Sequence, residues 1–549
     1  MKHKNIFIQL LIVAVGFFLF AVGLGTVPLF DWDELNFAES AREMIVSGNY
    51  LMVQINFEPF WEKPPLFIWM QALSMKAFGI NEFAARFPNV IAGIVTLLVL
   101  FNIGRKLKDI RFGVQWVLVY LCSLLPFFYF KSGIIDPWFN LFIFLGIYYF
   151  VCYTFAERKI NPYISVMLSA AFIGLAILTK GPVALLVFLL CFTVYLIVNK
   201  FRLNFKWGHV AVFLTTLTIV GGLWFILLIL NGNFSIIQDF IEYQIRLFTT
   251  EDAGHGGFFM YHFVILLIGV FPASLFVLPT FRRNILSKES NTQVAHFFRW
   301  MMIMLWVVLI LFTIVKTKIV HYSSLCYFPV TFLAVWYIRK ALDENIKIGK
   351  AVKICIAVIG ILLGLVVTAI SFFDRFKSHI IPYVDDEFAV GNMQATANWY
   401  GFEPLIGLTL ITCVVCFLVF LRKNLQKSLL FLFFGSLFFV SMGMFFITPQ
   451  VEKYSQHAAI EFYRSKQNED CYIYPTSKSY AHYFYSNRMP VNNSADALWL
   501  QTGDIDKPCY FVVKSITRHR QAFEEACPDA VLLYEKNGFL FYVRYPAGL

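Results

Sequence analysis

Long apolar runs divide most of the chain into segments of similar length. A run of about 20 apolar residues is long enough to cross a bilayer as a helix. On that basis we predict about thirteen membrane-spanning helices. They lie at residues 6–27, 84–104, 112–130, 134–155, 162–179, 182–199, 208–230, 258–281, 300–315, 322–338, 351–373, 403–421 and 428–447.

The loops between these runs alternate in basic content. Every second loop is short and rich in Lys and Arg, which is typical of loops that stay in the cytoplasm. These basic loops lie at residues 105–111, 158–159, 200–206, 282–288, 339–353 and 422–427. An odd number of spans then places residues 448–549 outside. The first run has no clear cleavage site, so we expect it to remain as an anchor.

The first outer segment, residues 28–83, contains two helical patterns. In the first, apolar residues recur every three to four positions with Glu39 on the other face, which predicts an amphipathic helix with Asp33 as its N-cap. The second begins after the prolines at 64–65 and ends at Gly79. Neither pattern is apolar all round, so we expect both helices to lie along the membrane interface.

The last hundred residues differ in pattern from the rest. Short aromatic and β-branched runs surround one helical stretch, and Asn537-Gly538 stands between two apolar runs as a hairpin signal. We therefore predict a transmembrane domain at residues 1–447 and a small α/β extracytoplasmic domain at residues 448–549.

Composition agrees with a membrane protein, since 59% of the residues are hydrophobic and only 14% are charged. The net charge of +11 is explained by the cytoplasmic loops, and no long basic segment interleaved with aromatic residues indicates nucleic-acid binding. The ten cysteines have no zinc-type spacing. A disulfide among Cys471, Cys509 and Cys527 stays open.

The polar residues of the apolar part are not scattered. A charge at the centre of a span costs about 2.5–3.5 kcal/mol, so its position is informative. The polar residues that stand out all fall at predicted outer ends, which predicts one polar cavity at the outer membrane surface. They are Asp31, Asp33, Glu34, Glu62, Lys63, Asp136, Lys180, Arg246, His255, Lys316, Lys318 and His321.

Several of these residues suit phosphate binding. Lys63 precedes a double proline at a helix start, which favours an anion site. Arg246 can contact phosphate through two N–H groups, although an ion pair with Glu242 is equally consistent with the sequence. Lys180 either contacts a headgroup or extends to the interface, and both interpretations stay open.

The stretch KTKIVHY holds Lys316, Lys318, His321 and Tyr322, and a basic cluster beside a tyrosine favours phosphate binding. Asp136 stands before a proline at the start of a span. It is either a helix cap or a functional carboxylate.

A divalent metal is a further possibility, with Glu62 and His255 as ligands. Two ligands without a third make a weak site, so we predict no required cofactor.

Five motifs in order resemble the bacterial aminoarabinose transferases, which belong to the protein-mannosyltransferase-like GT-C membrane glycosyltransferases. They are DWDELNFAESAREM, WEKPPLFIW, LTKG, the stretch from Arg246 to His255 and KTKIVHY. The resemblance covers residues 1–340 most closely. It implies a polytopic α-helical GT-C fold with interfacial helices in the first outer loop.

The resemblance also implies the reaction. A sugar such as 4-amino-4-deoxy-L-arabinose would move from a polyprenyl (undecaprenyl) phosphate donor to lipid A or a related glycolipid. Other relatives glycosylate a protein hydroxyl. The site and the C-terminal domain would face the periplasm from the bacterial inner membrane, among membrane lipids.

The resemblance assigns roles residue by residue. The family's catalytic carboxylate corresponds to Asp33, with Glu34 beside it, and a second acidic residue matches Asp136. Residues that hold the lipid phosphate correspond to Lys63 and Arg246, and the family's tyrosine after the lysine cluster falls near Tyr322. This chain departs from the family at Glu242-Tyr243, where relatives often read Glu-His, which puts metal binding in doubt.

The chemistry fits the residues themselves. Transfer from a lipid phosphate needs a base for the acceptor and cations for the leaving phosphate, and a single base implies inversion. A transporter or lipid flippase is a less favoured alternative. Transporters carry their charges near the midplane between repeats, whereas here the charges lie at one face and no repeat is found.

Overall fold

The computed structural model describes residues 2–155, 160–202, 206–249, 256–282, 285–286, 289–490 and 496–547. Within them the protein is largely helical. The first half contains α1 Lys2–Ala21, α2 Asp33–Ser47, α3 Leu66–Phe78, α4 Glu82–Leu107, α5 Ile110–Leu121, α6 Leu124–Tyr129, α7 Asp136–Thr154, α8 Pro162–Lys180, α9 Val183–Val198, α10 Trp207–Gly221, α11 Leu223–Leu230 and α12 Phe234–Thr249.

The second half continues with further helices and most of the strands. The helices are α13 Tyr261–Gly269, α14 Ala273–Val277, α15 Thr292–Ile314, α16 Tyr327–Asp343, α17 Lys350–Ile370, α18 Phe373–Ile380, α19 Glu387–Met393, α20 Pro404–Phe420, α21 Leu425–Met442, α22 Thr448–Glu452, α23 His457–Ser465, α24 Ala481–Tyr485, α25 Ala497–Thr502 and α26 Thr517–Ala526. The strands among the described residues are β1 Gln54–Ile55, β2 Glu58–Pro59, β3 Tyr472–Pro475, β4 Cys509–Lys514, β5 Val531–Lys536 and β6 Phe539–Arg544.

The protein is a multi-pass membrane protein. In the described part of the chain, eight helices are long and apolar enough to cross a bilayer, and two bent pairs bring the number to ten. The bent pairs are α10 with α11, at 57°, and α13 with the segment Ala273–Phe281, at 108°. Each of the predicted spans overlaps one of these helices or a shorter apolar helix. Because α5, α9 and α20 are shorter than a full span, the number of thirteen stays a prediction.

Aromatic side chains fill the interior of the helix bundle. Trp116 of α5 packs edge-on against Phe144, Phe297 and Phe332 of α7, α15 and α16, with ring centroids 5.1–6.2 Å apart. Its indole N–H donates to the Thr331 hydroxyl at 3.0 Å, so this buried tryptophan leaves no donor unpaired. The packing holds together helices whose ends carry the site described below.

The first outer segment forms both predicted helices, but α2 is covered on all sides. Its residues from Glu34 to Met44 are buried, including the polar face with Glu39 and Glu43. The helix begins at Asp33, which makes Trp32 the N-cap, so the prediction of Asp33 as N-cap is wrong. The second helix, α3, begins after Pro65 and ends before Gly79, as its sequence predicts.

Residues 457–544 form a four-stranded sheet with short helices around it. The strand order is β3-β4-β6-β5, with β3 and β4 parallel and the other pairs antiparallel. Asn537 and Gly538 turn the β5–β6 hairpin with φ of 47° and 82°, which confirms the hairpin prediction. All ten cysteines are free thiols, so no disulfide joins Cys471, Cys509 and Cys527.

The sheet region packs directly on the first outer segment. One apolar cluster includes Leu35 and Phe67 from that segment together with Phe462 and Phe541 from the sheet region. Leu29 N donates to the Tyr485 hydroxyl at 2.6 Å. The division at residue 447 stays a prediction, since the two parts share this core.

Candidate active site

A cavity of about 590 Å³ lies where the ends of several helices meet the first outer segment, residues 28–83. It collects predicted residues from six separate stretches of the chain. The predicted residues that line it are Asp31, Asp33, Glu34, Glu62, Lys63, Asp136, Lys180, Arg246, His321 and Tyr322. In the structure, these predicted polar residues therefore line one cavity.

Asp33 is presented at the start of α2 by an unusual backbone. Trp32, just before it, has φ of 69°, a conformation that costs free energy for a bulky residue and is found where surrounding structure enforces it. The Asp33 side chain is 40% exposed, so its carboxylate is accessible from the cavity. Asp33 is more exposed than Asp136, the other acid near His321.

His321 lies between two carboxylates. Its Nε2 atom is 3.4 Å from Asp33 Oδ2 and 3.9 Å from Asp136 Oδ2. The backbone carbonyl of His321 accepts a hydrogen bond from the Ser324 hydroxyl, which in turn accepts one from the Asn140 amide. These contacts fix the histidine at the N-terminal end of α7.

Asp136 is buried and ion-paired. Lys180 Nζ at the end of α8 lies 2.7 Å from its Oδ1 atom, while Oδ2 has no hydrogen-bond partner in the described part of the chain. Lys180 Nζ also lies 5.4 Å from the centre of the Tyr322 ring. Lys180 therefore lines the cavity and does not extend to the membrane interface.

Two cations flank one aromatic ring on the other side of the cavity. Lys63 Nζ and the Arg246 guanidinium carbon lie 5.0 Å and 5.2 Å from the centre of the Tyr243 ring. The electron-rich face of the ring attracts a cation at this distance. The Tyr243 hydroxyl donates to Glu62 Oε2 at 3.2 Å, which fixes the ring.

Lys63 is largely buried in this arrangement. Burial lowers the pKa of its ammonium group, while the carboxylates of Glu62 and Asp33 act in the opposite direction. A buried cation with an incomplete set of partners is a suitable site for an anionic ligand.

Glu34 has a structural role in place of the predicted catalytic one. Both of its oxygens are bound by Arg86, at 3.0 Å from Nε and 2.8 Å from Nη2. The backbone N–H groups of Phe30 and Gly133 also donate to this carboxylate. A carboxylate held by four donors has no free lone pair directed at a substrate.

Lys316 and Lys318 are not among the residues that line the cavity, so their predicted contacts with phosphate stay a prediction. Lys318 Nζ donates to the carbonyls of Phe312, Thr313 and Val315 at 2.5–3.0 Å and so caps the C-terminus of α15. Lys316 is exposed and is not among the cavity residues.

The predicted metal pair is only half described. His255 lies outside the described residues. Glu62 contacts the Tyr243 hydroxyl and lies 4.0 Å from Lys63 Nζ, and no group of three or more His, Cys, Asp or Glu among the described residues is arranged to hold a metal. A metal held by Glu62 and His255 therefore stays a prediction.

Three important residues escape sequence reasoning. Arg86, the partner of Glu34, carries a usable signal because it is a charged residue near the start of an apolar run. Tyr243 is visible only as a departure from the family pattern. Lys478 lines the cavity from the sheet region and lies 4.9 Å from the Trp32 ring centre, more than 400 positions away in sequence with no local signal.

Comparison with known proteins adds sequence evidence. Residues 62–224 match the family described as dolichyl-phosphate-mannose-protein mannosyltransferase. The undecaprenyl phosphate-alpha-4-amino-4-deoxy-L-arabinose arabinosyl transferase of Edwardsiella ictaluri is 28% identical over 350 residues, 61% of this chain and 60% of that protein. The protein of the same name from Pectobacterium atrosepticum is 24% identical over 427 residues, 76% of this chain and 71% of that protein.

Comparison of the folds extends further along the chain. The crystal structure of ArnT from Cupriavidus metallidurans bound to undecaprenyl phosphate superposes with a TM-score of 0.74, and the apo structure with 0.75. Each match covers 97% of both chains, at 17% and 16% identity. The chain has the ArnT fold.

The ArnT-like fold confirms the predicted fold class, a polytopic helical GT-C protein with a small C-terminal sheet region. The sequence matches confirm the resemblance to the aminoarabinose transferases. The chain spans 60% of the length of the Edwardsiella relative, so the part beyond the match is compared through the fold alone.

Proposed function

We propose that the protein is an integral membrane glycosyltransferase. It moves 4-amino-4-deoxy-L-arabinose or a similar sugar from an undecaprenyl phosphate donor to lipid A or a related glycolipid. The reaction takes place at the periplasmic face of a bacterial inner membrane. The observation that carries the proposal is the single cavity in which an accessible Asp33 faces the paired cations Lys63 and Arg246.

The donor phosphate binds between the paired cations. The guanidinium of Arg246 contacts two phosphate oxygens, and the Lys63 ammonium adds a point charge. Apolar residues that continue the cavity take up the polyprenyl chain, among them Leu125, Phe128 and Val187. The crystal structure of Cupriavidus ArnT with undecaprenyl phosphate supports this ligand class.

Asp33 is the base for the acceptor. It takes the proton from an acceptor hydroxyl or phosphate group, and the acceptor oxygen attacks the anomeric carbon. The bond from that carbon to the phosphate oxygen breaks, and its electron pair leaves with undecaprenyl phosphate. Lys63 and Arg246 stabilise the negative charge that develops there. Attack from one side with a single base inverts the anomeric carbon.

His321 and Asp136 position the base. The imidazole lies within 4 Å of both carboxylates and keeps Asp33 directed into the cavity. Lys180 compensates the charge of Asp136, so the pair adds little net negative charge near the phosphate.

Transfer to a protein hydroxyl is the second candidate. The observation that favours it is the match of residues 62–224 to the protein mannosyltransferase family. The donor chemistry is the same for both candidates, and only the acceptor differs.

The central test is Asp33→Asn, assayed in lipid nanodiscs with undecaprenyl-phosphate-linked sugar and lipid A. We expect the rate of transfer to fall by about 10²–10⁴-fold, the usual contribution of a positioned base, while undecaprenyl phosphate still binds. The matched control is Glu58→Gln, an exposed acid in the same outer segment, which should keep full activity. Full activity of Asp33→Asn would remove the assignment.

Mass spectrometry separates the two candidates. Lipid A and membrane proteins are isolated from cells with and without this protein. A mass increase of one sugar on lipid A supports the first candidate, and an increase on proteins alone supports the second.

A further inference from the structure

A short segment of the sheet region, residues 478–480, lies over the turn that precedes Asp33. The Lys478 ammonium group is 4.9 Å from the centre of the Trp32 ring. Tyr480 packs edge-on against Phe60, with ring centroids 6.4 Å apart. Trp32 directly precedes the proposed base, and Phe60 stands two positions before Glu62. Segment 478–480 therefore contacts both stretches by which the first outer segment enters the candidate active site.

The backbone of Trp32 has a conformation that its side chain disfavours. Its φ of 69° and ψ of −110° are close to the mirror image of an ordinary extended conformation, which glycine alone adopts without steric cost. A residue with a Cβ atom keeps such angles only where surrounding contacts enforce them. Because Asp33 is the next residue, relaxation of Trp32 would change the direction of the Asp33 side chain.

Asp31 connects this backbone to segment 478–480. Its Oδ1 atom accepts from the Trp32 backbone N–H at 2.9 Å. Burial raises the pKa of the Asp31 carboxyl, while hydrogen bonds from the Ser479 side chain and the Tyr480 backbone lower it, as does the charge of Lys514. One carboxyl group thus joins the strained residue to the sheet region.

The start of the same turn is also held by the sheet region and the residue before it. Leu29 N donates to the Tyr485 hydroxyl at 2.6 Å, and its carbonyl accepts from Gln456 Nε2 at 3.2 Å. At the other end, the Trp32 carbonyl accepts from Asn36 N of α2 at 2.8 Å. The turn is therefore held between α2 on one side and residues far along the chain on the other.

We propose that Asp31 and segment 478–480 are positioning elements for the proposed base, Asp33. Hydrogen bonds from the segment to Asp31 hold Trp32 in its strained backbone conformation, and the lysine of the segment covers the Trp32 ring. The Asp33 carboxylate is thereby directed into the cavity. The role requires no contact with donor or acceptor. The proposal rests on the proposed function, since it concerns the orientation of the base in that reaction.

The first test measures the backbone and does not depend on the reaction. The purified full chain in nanodiscs is compared with the double variant Lys478→Met/Ser479→Ala by hydrogen–deuterium exchange. We expect the peptide that covers residues 29–36 to exchange about threefold faster or more in the variant, with no change in α3. Asp529→Ala, at an exposed acid of the sheet region, is the matched control and should change neither. Equal exchange in the double variant and the unaltered chain overturns the proposal.

The second test separates the rate of transfer from donor binding. We expect Asp31→Ala to lower kcat by about tenfold or more, because a misdirected base reacts slowly. The affinity for undecaprenyl phosphate should stay unchanged, which also shows that the fold is kept. Asp31→Asn retains an acceptor oxygen for the Trp32 N–H and should recover part of the loss. If Asp31→Ala instead weakened donor affinity at unchanged kcat, Asp31 would act on the donor and the proposal would be overturned.

The variants Trp32→Ala and Trp32→Gly test the strained backbone itself. Both remove the ring, and only alanine keeps the Cβ atom that makes these angles costly. In the Trp32→Ala background, Asp31→Ala should still lower kcat by about tenfold. In the Trp32→Gly background, the same change should lower kcat by less than about threefold, because glycine adopts the conformation without support. Equal losses in the two backgrounds overturn the proposal. If Asp31→Ala does not fold, the double variant Lys478→Met/Ser479→Ala replaces it in both backgrounds.

Asp33→Asn, assayed beside these variants, separates the positioning role from the proposed function. If Asp33→Asn loses transfer while Asp31→Ala keeps its full kcat, the positioning role is overturned and the proposed function stands. If Asp33→Asn keeps its full rate, the assignment of the base fails and the positioning role fails with it. Loss of transfer in Asp33→Asn, with a partial loss in Asp31→Ala and faster exchange in the double variant, supports both.

Discussion

At the scale of single residues, the proposed binding of the donor phosphate in the candidate active site depends on the charge of Lys63. Burial lowers the pKa of its ammonium group, so the group loses its proton at a lower pH than an exposed lysine does. In the proposed function, undecaprenyl phosphate binds the charged form. Its affinity is therefore full below this lowered pKa and falls as the pH rises through it.

We predict that Lys63→Arg moves this loss of affinity to higher pH, because a guanidinium stays charged throughout the accessible range. The measurement is the affinity for undecaprenyl phosphate as a function of pH. Lys316→Arg is the matched control, since Lys316 is exposed and away from the cavity. An identical pH profile for Lys63→Arg and the unaltered chain would contradict the role of Lys63.

His321 permits a second prediction at this scale. We expect His321→Ala to lower kcat by about tenfold to a hundredfold through loss of the positioned Asp33, with little change in affinity for undecaprenyl phosphate. His321→Gln retains a donor near both carboxylates and should recover part of the loss. If both variants instead changed only the affinity for the donor, His321 would belong to the phosphate site.

At the scale of elements, Glu34 and Arg86 join the start of α2 to α4. Arg86 also donates to the backbone carbonyls of Leu24, Val27 and Pro28, so one guanidinium holds the whole turn between α1 and α2. This turn carries Trp32 and Asp33. The position of the proposed base therefore depends on a buried ion pair that takes no part in the proposed reaction.

We predict that Glu34→Gln destabilises the protein by about 3–5 kcal/mol, because it leaves a buried guanidinium without its counter-charge. The measurement is thermal unfolding in detergent. The variants Glu34→Leu and Arg86→Met are also measured alone and together. The loss of stability in the double variant should be smaller than the sum of the losses in the two single variants, since neither charge is left alone. Additive losses would show that the pair is not coupled.

At the scale of the whole molecule, the sheet region acts as a cover for the first outer segment. The buried polar face of α2 holds Glu39 ion-paired to Arg42, and Glu43, which accepts the backbone N–H groups of Asn56 and Phe57. Burial and the neighbouring Glu39 raise the pKa of Glu43 to about 9. Arg42 also donates to the side-chain carbonyl of Asn487, so a residue far along the chain helps to cover this face.

We predict that Tyr485→Phe lowers the free energy of unfolding by about 1–3 kcal/mol, because it leaves the buried Leu29 N–H without its acceptor. Tyr545→Phe, at an exposed position, is the matched control and should have no measurable effect. Thermal unfolding measures both. An equal melting temperature for the two variants would show that this contact contributes nothing.

The sequence by itself determined the elements and much of the chemistry. Apolar runs near the length of a span, prolines before α3 and the Asn537-Gly538 turn are local patterns, and each acts through neighbours along the chain. Motifs such as WEKPPLFIW and LTKG identified residues that line the candidate active site. A charge beside an apolar run is costly in a membrane, so its presence indicates a function.

Only the tertiary structure decided which polar groups face one another. Lys318 and Glu34 have the residue types of a site, yet one caps α15 and the other pairs with Arg86. Tyr243 and Lys478 join the cavity from distant parts of the chain. The physical reason is that an ion pair or a shared cavity depends on distance in space, and contacts between residues hundreds of positions apart leave no periodic pattern in the sequence.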